Sequence, residues 1–161
     1  MNGLRMCYFW CAGLGLDEYQ RKRSLGKSNE PGGEVKVSSG QGGIYVIQRH
    51  QATRLHWDLR LEMEGVLKSW AVPKEPPTEK GVKRLAVQVE DHPLDYANFQ
   101  GTIPKGEYGA GSVEIWDKGT YKLVSMKPKE IIFDIEGERL KGTYCLIQFK
   151  EAKNWLFFKK K

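Results

Sequence analysis

The sequence predicts a mainly β domain, an antiparallel barrel or sandwich, on three observations. Residues 54–62 alternate apolar and polar side chains with a period of two, the pattern of a strand with two unlike faces. Eight or nine such short segments follow one another between turn signals. The 18 glycines, with many β-branched and aromatic residues, suit tight turns and pleated strands. At 161 residues the chain can form one domain with a sizeable core.

Residues 6–16 (MCYFWCAGLGL) are apolar and follow Arg5, but carry no small-residue cleavage pattern. They read as an extension or a short packed strand rather than a signal peptide. Residues 16–24 read as a short helix, with Asp17 and Glu18 early and Arg21, Lys22 and Arg23 late, as the helix dipole favours. Residues 26–43, rich in Gly and Ser, read as a long loop. Strands are expected at 44–49, 54–62 and 66–72. Pro73, Pro76 and Pro77 then exclude a central strand before residue 83. A strand at 84–90 is followed by a glycine-rich stretch, Gly101 to Gly111. It lacks the Gly-Lys-Ser/Thr ending of a phosphate loop and reads as turns at a barrel rim. Strands at 112–117 and 120–125 would form a hairpin through Asp117-Lys118-Gly119. The last strands are expected at 131–135, 143–149 and 155–159.

Hydrophobic residues at 40% and charged residues at 29% exclude a disordered or fibrous chain. No run approaches the ~18 apolar residues that span a bilayer. The formal charge of +6 and a pI near 9.2 fit a polyanionic partner and equally fit charge spread for solubility. Cys7, Cys11 and Cys145 are an odd number without a paired Cys/His set, so they read as free thiols of a reducing cytoplasm rather than a zinc site. With no Gly-x-Ser-x-Gly elbow and Cys145 inside an apolar strand, serine or cysteine nucleophilic catalysis has no support.

The chain has three histidines, His50, His56 and His92. His56 and Asp58 are two apart on one strand and share a face, and His50 ends the strand before it. Two imidazoles and a carboxylate so placed fit a divalent metal with open positions. The same face, with Arg54, Arg60 and Glu62, also fits a solvated outer surface. In the strand 84–90, Arg84, Gln88 and Glu90 share one face, and His92 and Tyr96 follow. If this strand lines the same cavity, Arg60 and Arg84 could neutralise phosphate oxygens. His92 could protonate a leaving oxygen or stabilise a pentavalent phosphorus.

Residues 45–60 (YVIQRHQATRLHWDLR) closely resemble the signature of the 3′-phosphoesterase domain of bacterial DNA ligase D. The likeness continues through SWAVPK at 69–74, RLAVQVEDHPLDY at 84–96 and GEYGAG at 106–111 to Trp116 and Asp117. It spans roughly residues 16–159. The resemblance implies a compact antiparallel β-barrel with short peripheral helices, one domain over residues 16–161, and an extension, residues 1–15, outside the match. It implies a hydrolase that heals DNA 3′ ends with manganese or another divalent transition metal. A phosphodiesterase step would remove a 3′-terminal ribonucleoside, and a phosphomonoesterase step would remove the 3′-phosphate left behind. By the matched motifs, His50, His56 and Asp58 hold the metal, and Arg60, His92 and Tyr96 contact the scissile phosphate. Gln48, Ser69, Lys74, Arg84 and Glu90 form the polar surround, and Arg23 and Glu30 match positions tied to activity. Ser24 departs from the family, which often has Asp there, and this puts the balance of the two activities in question. The substrate implied is the 3′ end of a DNA or RNA-tipped DNA primer-template. A ligase and a polymerase would be met in trans by a monomeric protein with no membrane partner. The alternative is a non-catalytic nucleic-acid-binding β-barrel, for which exposed stacking aromatics would speak.

Overall fold

The structure, a computed structural model, describes residues 42–160. The helix expected at 16–24, the extension, Cys7, Cys11, Arg23, Ser24 and Glu30 lie outside the described residues. Nine strands are present: β1 (Gly42–Gln51), β2 (Leu55–Met63), β3 (Val66–Val72), β4 (Lys83–Pro93), β5 (Gly101–Ile103), β6 (Gly111–Lys127), β7 (Glu130–Gly137), β8 (Lys141–Gln148) and β9 (Asn154–Lys159). They run in the order β1-β2-β3-β4-β9-β8-β7-β6, and β6 pairs back onto β1. All these pairings are antiparallel, so eight strands close into a barrel. Closure removes the unpaired edges that an open sheet would expose. Strand β5 pairs with the start of β6 and stands outside the ring. The only helix among the described residues is a five-residue 3-10 turn, Leu94–Asn98.

Alternation divides the apolar residues into two cores. One fills the barrel: Tyr45, Ile47, Leu59, Leu61, Trp70, Val72, Ala86, Tyr121, Phe133, Ile135, Tyr144, Leu146, Trp155 and Phe157 come from all eight ring strands. The second lies across the wall. Val46, between Tyr45 and Ile47, packs instead with Leu67, Tyr96, Ala97, Phe99, Ile103 and Val113. The chain between β4 and β6 therefore leaves the ring and folds back against its outer face, anchored by Tyr96, Phe99 and Ile103.

Three expectations are corrected. Gly42 and Gly43, read as loop, open β1. A Cβ on Gly42 would overlap the Tyr121 carbonyl oxygen, and one on Gly43 would strike the Glu62 carboxylate, so glycine permits the close pairing. That carboxylate accepts from the Ile44 N–H at 2.8 Å. The three-residue β5 was not foreseen within the glycine-rich stretch. Third, Asp117-Lys118-Gly119 makes no hairpin, since β6 runs through it unbroken. Ile47 faces Asp117 but Gln48 faces Ile115, so Trp116 is the extra residue of a bulge. The Asp117 carboxylate accepts from Tyr45 Oη at 2.8 Å and from the N–H groups of Lys118, Glu138, Arg139 and Leu140 at 2.7–3.0 Å. It organises the turn from β7 to β8 rather than a turn of its own strand. Gly119 serves close packing, because a Cβ there would overlap the Glu136 carbonyl oxygen. The hairpin from β2 to β3 does use left-handed backbone, at Glu64 (φ 51°) and Gly65 (φ 81°).

Candidate metal and phosphate site on the outer barrel wall

The outward faces of β1, β2, β3 and the end of β4 meet the returning segment in a cleft of about 340 Å³. His50, His56, Asp58, Arg60, Glu90, His92 and Tyr96 line it, with Ala71, Tyr108 and Gly109. The register explains the grouping. His50 stands opposite His56, and Gln48 opposite Asp58. Asp58 stands opposite Ala71, whose small side chain leaves room, and Arg60 opposite Ser69.

One ligand atom from each of His50, His56 and Asp58 lies within 4.8 Å of the others. His50 Nδ1 is 3.5 Å from Asp58 Oδ2, and His56 Nε2 is 3.4 Å from Asp58 Oδ1. The outer ring nitrogens fix the tautomers. His50 Nε2 lies 2.6 Å from the Gly109 carbonyl, and His56 Nδ1 lies 3.0 Å from the Arg54 carbonyl. A carbonyl only accepts, so these nitrogens carry the protons. Nδ1 of His50 and Nε2 of His56 are then the nitrogens that face the Asp58 carboxylate, and theirs are the lone pairs a metal would take in place of a proton. Burial works against the charge of Asp58, but Arg60, His50 and His56 outweigh it and hold the carboxyl well below its usual range. Burial likewise opposes charge on His56, yet the Asp58 carboxylate raises its pKa. The set is borderline in softness, two neutral nitrogens and one anionic oxygen, and fits a divalent transition metal.

Beside it, Arg60 is held in place. Its Nε donates to Gln48 Oε1 at 2.6 Å, Nη1 to Ser69 Oγ at 2.8 Å and Nη2 to Asp58 Oδ2 at 3.4 Å. The guanidinium lies 4.7 Å from the Tyr96 ring centroid. Three of its five N–H bonds are thus engaged, leaving one on each terminal nitrogen. Gln48 is fully buried and spends its amide on the Tyr96 and Phe99 carbonyls, at 2.7 and 3.1 Å. It therefore ties the returning segment to Arg60. Ser69 Oγ donates to the Leu67 carbonyl while accepting from Arg60. His92 Nδ1 sits 3.0 Å from the Glu90 carbonyl and 3.4 Å from Ser69 Oγ, so its proton is on Nδ1. The His92 ring meets Tyr96 edge-on at 4.7 Å.

The structure thus brings His50, His56, Asp58, Arg60, Glu90, His92 and Tyr96 into one cleft, with Gln48 and Ser69 directly behind Arg60. Arg84 and Lys74 are not in its lining. Arg84 donates from Nε to the Glu75 carbonyl at 2.8 Å, and Lys74 is exposed in the segment after β3. The expectation that Arg84 shares a cavity face with His92 fails because β4 is not regular between them. Val89 faces Ser69 and His92 faces Leu67, which leaves Glu90 and Asp91 opposite the single residue Lys68. The carbonyls of Arg54 and Gly109 escaped the sequence reading, as backbone groups carry no side-chain signal. Tyr108, half-exposed in the lining, escaped it too, although its glycine-rich setting could have marked it as a rim residue.

Comparison with known proteins bears on this cleft. A family model for the DNA ligase D 3′-phosphoesterase domain matches residues 48–148. The chain is 49% identical over 140 residues to the multifunctional non-homologous end joining protein LigD of Pseudomonas aeruginosa, which covers 83% of this chain and 16% of that protein. It is 47% identical over 145 residues to the LigD protein of Mycobacterium bovis, 88% of this chain and 19% of that one. For Mycolicibacterium smegmatis LigD the identity is 46% over 152 residues. The chain spans a fifth or less of the length of these relatives.

Proposed function

The chain belongs to the DNA ligase D 3′-phosphoesterase domain family, and from that premise we propose that it is a manganese-dependent hydrolase that heals DNA 3′ ends in non-homologous end joining. It acts as a phosphodiesterase on a 3′-terminal ribonucleoside and as a phosphomonoesterase on the remaining 3′-phosphate. The product is a 3′-OH, the end that a polymerase or a ligase requires. The observation that carries this reading is the convergence of His50, His56 and Asp58 within 4.8 Å in the same cleft as Arg60 and His92.

His50 through Nδ1, His56 through Nε2 and Asp58 would hold the metal. Bound there, a divalent ion supplies Lewis acidity at a phosphate oxygen and a water of lowered pKa. Arg60 offers its two uncommitted N–H bonds to phosphate oxygens, one from each terminal nitrogen, as suits bidentate recognition. Its fixed orientation means little rearrangement as charge builds in the transition state. His92, whose Nδ1–H is taken by the Glu90 carbonyl, presents Nε2, which with a second proton would donate to a phosphate or leaving oxygen. Glu90 and Tyr96 complete the enclosure, and Tyr96 braces Arg60 over its ring face and meets His92 edge-on. Arg84 and Lys74, which are not in the cleft lining, act on the substrate, as do Arg23 and Glu30, which lie outside the described residues. Phosphate neutralisation dominates binding, since the lining offers three histidines and the Arg60 guanidinium and few groups that read base edges.

A primer-template with a 3′-phosphate tests this directly. Phosphate release that requires manganese and stops with a chelator is expected. Binding of the DNA without any release, at any divalent metal, would replace the hydrolase with the non-catalytic barrel.

A further inference from the structure

One pair of buried charges beside the cleft takes no part in the chemistry above. Lys68 Nζ lies 3.0 Å from Asp91 Oδ2, and both residues are buried. Such a pair is a poor source of plain stability, since two ions must be stripped of water to make it. Its position gives it another use. Glu90 and Asp91 together stand opposite Lys68, which makes a β-bulge, and an extra residue reverses the alternation of the strand beyond it. Counting by two from Val89, a regular strand would bring Asp91 to the cleft and turn His92 to the other face. With the bulge, Val89, Glu90 and His92 all line the cleft. Before the bulge the other parity holds: Ala86 is in the barrel core and Gln88 accepts from Trp155 Nε1 at 3.2 Å. Lys68 is well placed to hold the bulge, because it lies between Leu67 and Ser69, whose partners across the ladder are His92 and Val89.

We propose that the Lys68–Asp91 ion pair is a positioning device that pins the extra residue of β4 and so sets His92 and Glu90 into the cleft. What His92 does once there rests on the hydrolase reading. The placement itself does not, and the experiment keeps the two apart. Lys68→Met with Asp91→Leu removes the pair without leaving a lone buried charge. In the full chain this variant is expected to lose ~10²-fold in kcat on a 3′-phosphate primer, the scale of one transition-state contact. Manganese affinity and KM should stay near wild type, because His50, His56, Asp58 and Arg60 are untouched. The His92 ring nitrogens, followed by 15N NMR among only three histidines, should lose the Nδ1-protonated pattern that the Glu90 carbonyl imposes. If the double variant does not fold, Asp91→Asn is measured by the same readouts, with a smaller change in the same direction. A variant that folds, keeps wild-type kcat and keeps the His92 tautomer overturns the proposal. Wild-type protein inactive on every 3′-phosphate end would sink the hydrolase reading alone, and the His92 tautomer would still decide whether the pair positions it.

Discussion

His50, His56 and Asp58 have one task in this reading and Arg60 and His92 another, and single substitutions separate them. Alanine at His56 should abolish manganese binding and activity together while the barrel still folds. Calorimetry with His92→Ala should show wild-type manganese affinity with a rate lower by ~10²–10³-fold; loss of the metal in that variant would make His92 a ligand. Arg60→Lys keeps the charge but cannot reach Gln48, Ser69, Asp58 and a phosphate at once, so a loss of ~10²-fold is expected in kcat/KM. Much of this site was legible at the level of residue type: the His-x-Asp spacing on an alternating strand, with His50 just before it, marked the three residues that converge as a candidate metal set. The atoms were not legible. Which nitrogen of His50 faces Asp58 is decided by the Gly109 carbonyl, 59 residues away. Which N–H bonds of Arg60 remain for phosphate is decided by Gln48 and Ser69.

At the scale of elements, β6 and β4 show where pattern reading stops. Asp-Lys-Gly at 117–119 has turn composition, yet its aspartate serves a turn 21–23 residues on and its glycine admits a neighbouring strand. Asp117→Ala should therefore be among the costliest substitutions away from the cleft. Up to five donors lose their acceptor, several of them in the interior, so a loss of roughly 3 kcal/mol or more is expected in denaturant unfolding. Wild-type stability in that variant would remove Asp117 from the account. Gly119→Ala should destabilise by crowding β6 against β7, with no help from compensating turn geometry. β2 was read correctly because it is regular from Leu55 to Met63, so period two holds throughout. β4 was misread because one extra residue, invisible to any period-two count, lies between Gln88 and His92. Regular strands announce themselves in sequence, whereas bulges depend on a partner strand the local pattern does not contain.

For the whole molecule, the closed ring buries tyrosines that must stay neutral. Burial, then Asp117, pushes Tyr45 well above its ordinary value, and the same two causes push Tyr144 up to about 12. In the unfolded chain these groups ionise near pH ~10. Their contribution to stability is thus complete below pH ~10 and is lost as pH rises toward 12, since only the unfolded state releases the protons. The denaturation midpoint should fall steadily over that interval, less steeply in Tyr144→Phe; a flat profile would contradict the burial of these hydroxyls. The barrel wall also separates two compartments that share the same strands, an apolar interior on one side and the charged cleft on the other. Every position of β1 and β2 is allotted to a compartment by whether its number is odd or even between bulges. Lengthening or shortening either strand by one residue would exchange the two sets, placing Asp58 and Arg60 in the interior and Leu59 and Leu61 in water. Insertion and deletion scanning should therefore show no tolerance within 55–61, while residues 104–107, which bridge β5 and β6 outside the ring, accept changes of length. On such a wall the gain or loss of a single codon is more damaging than almost any exchange of one side chain for another.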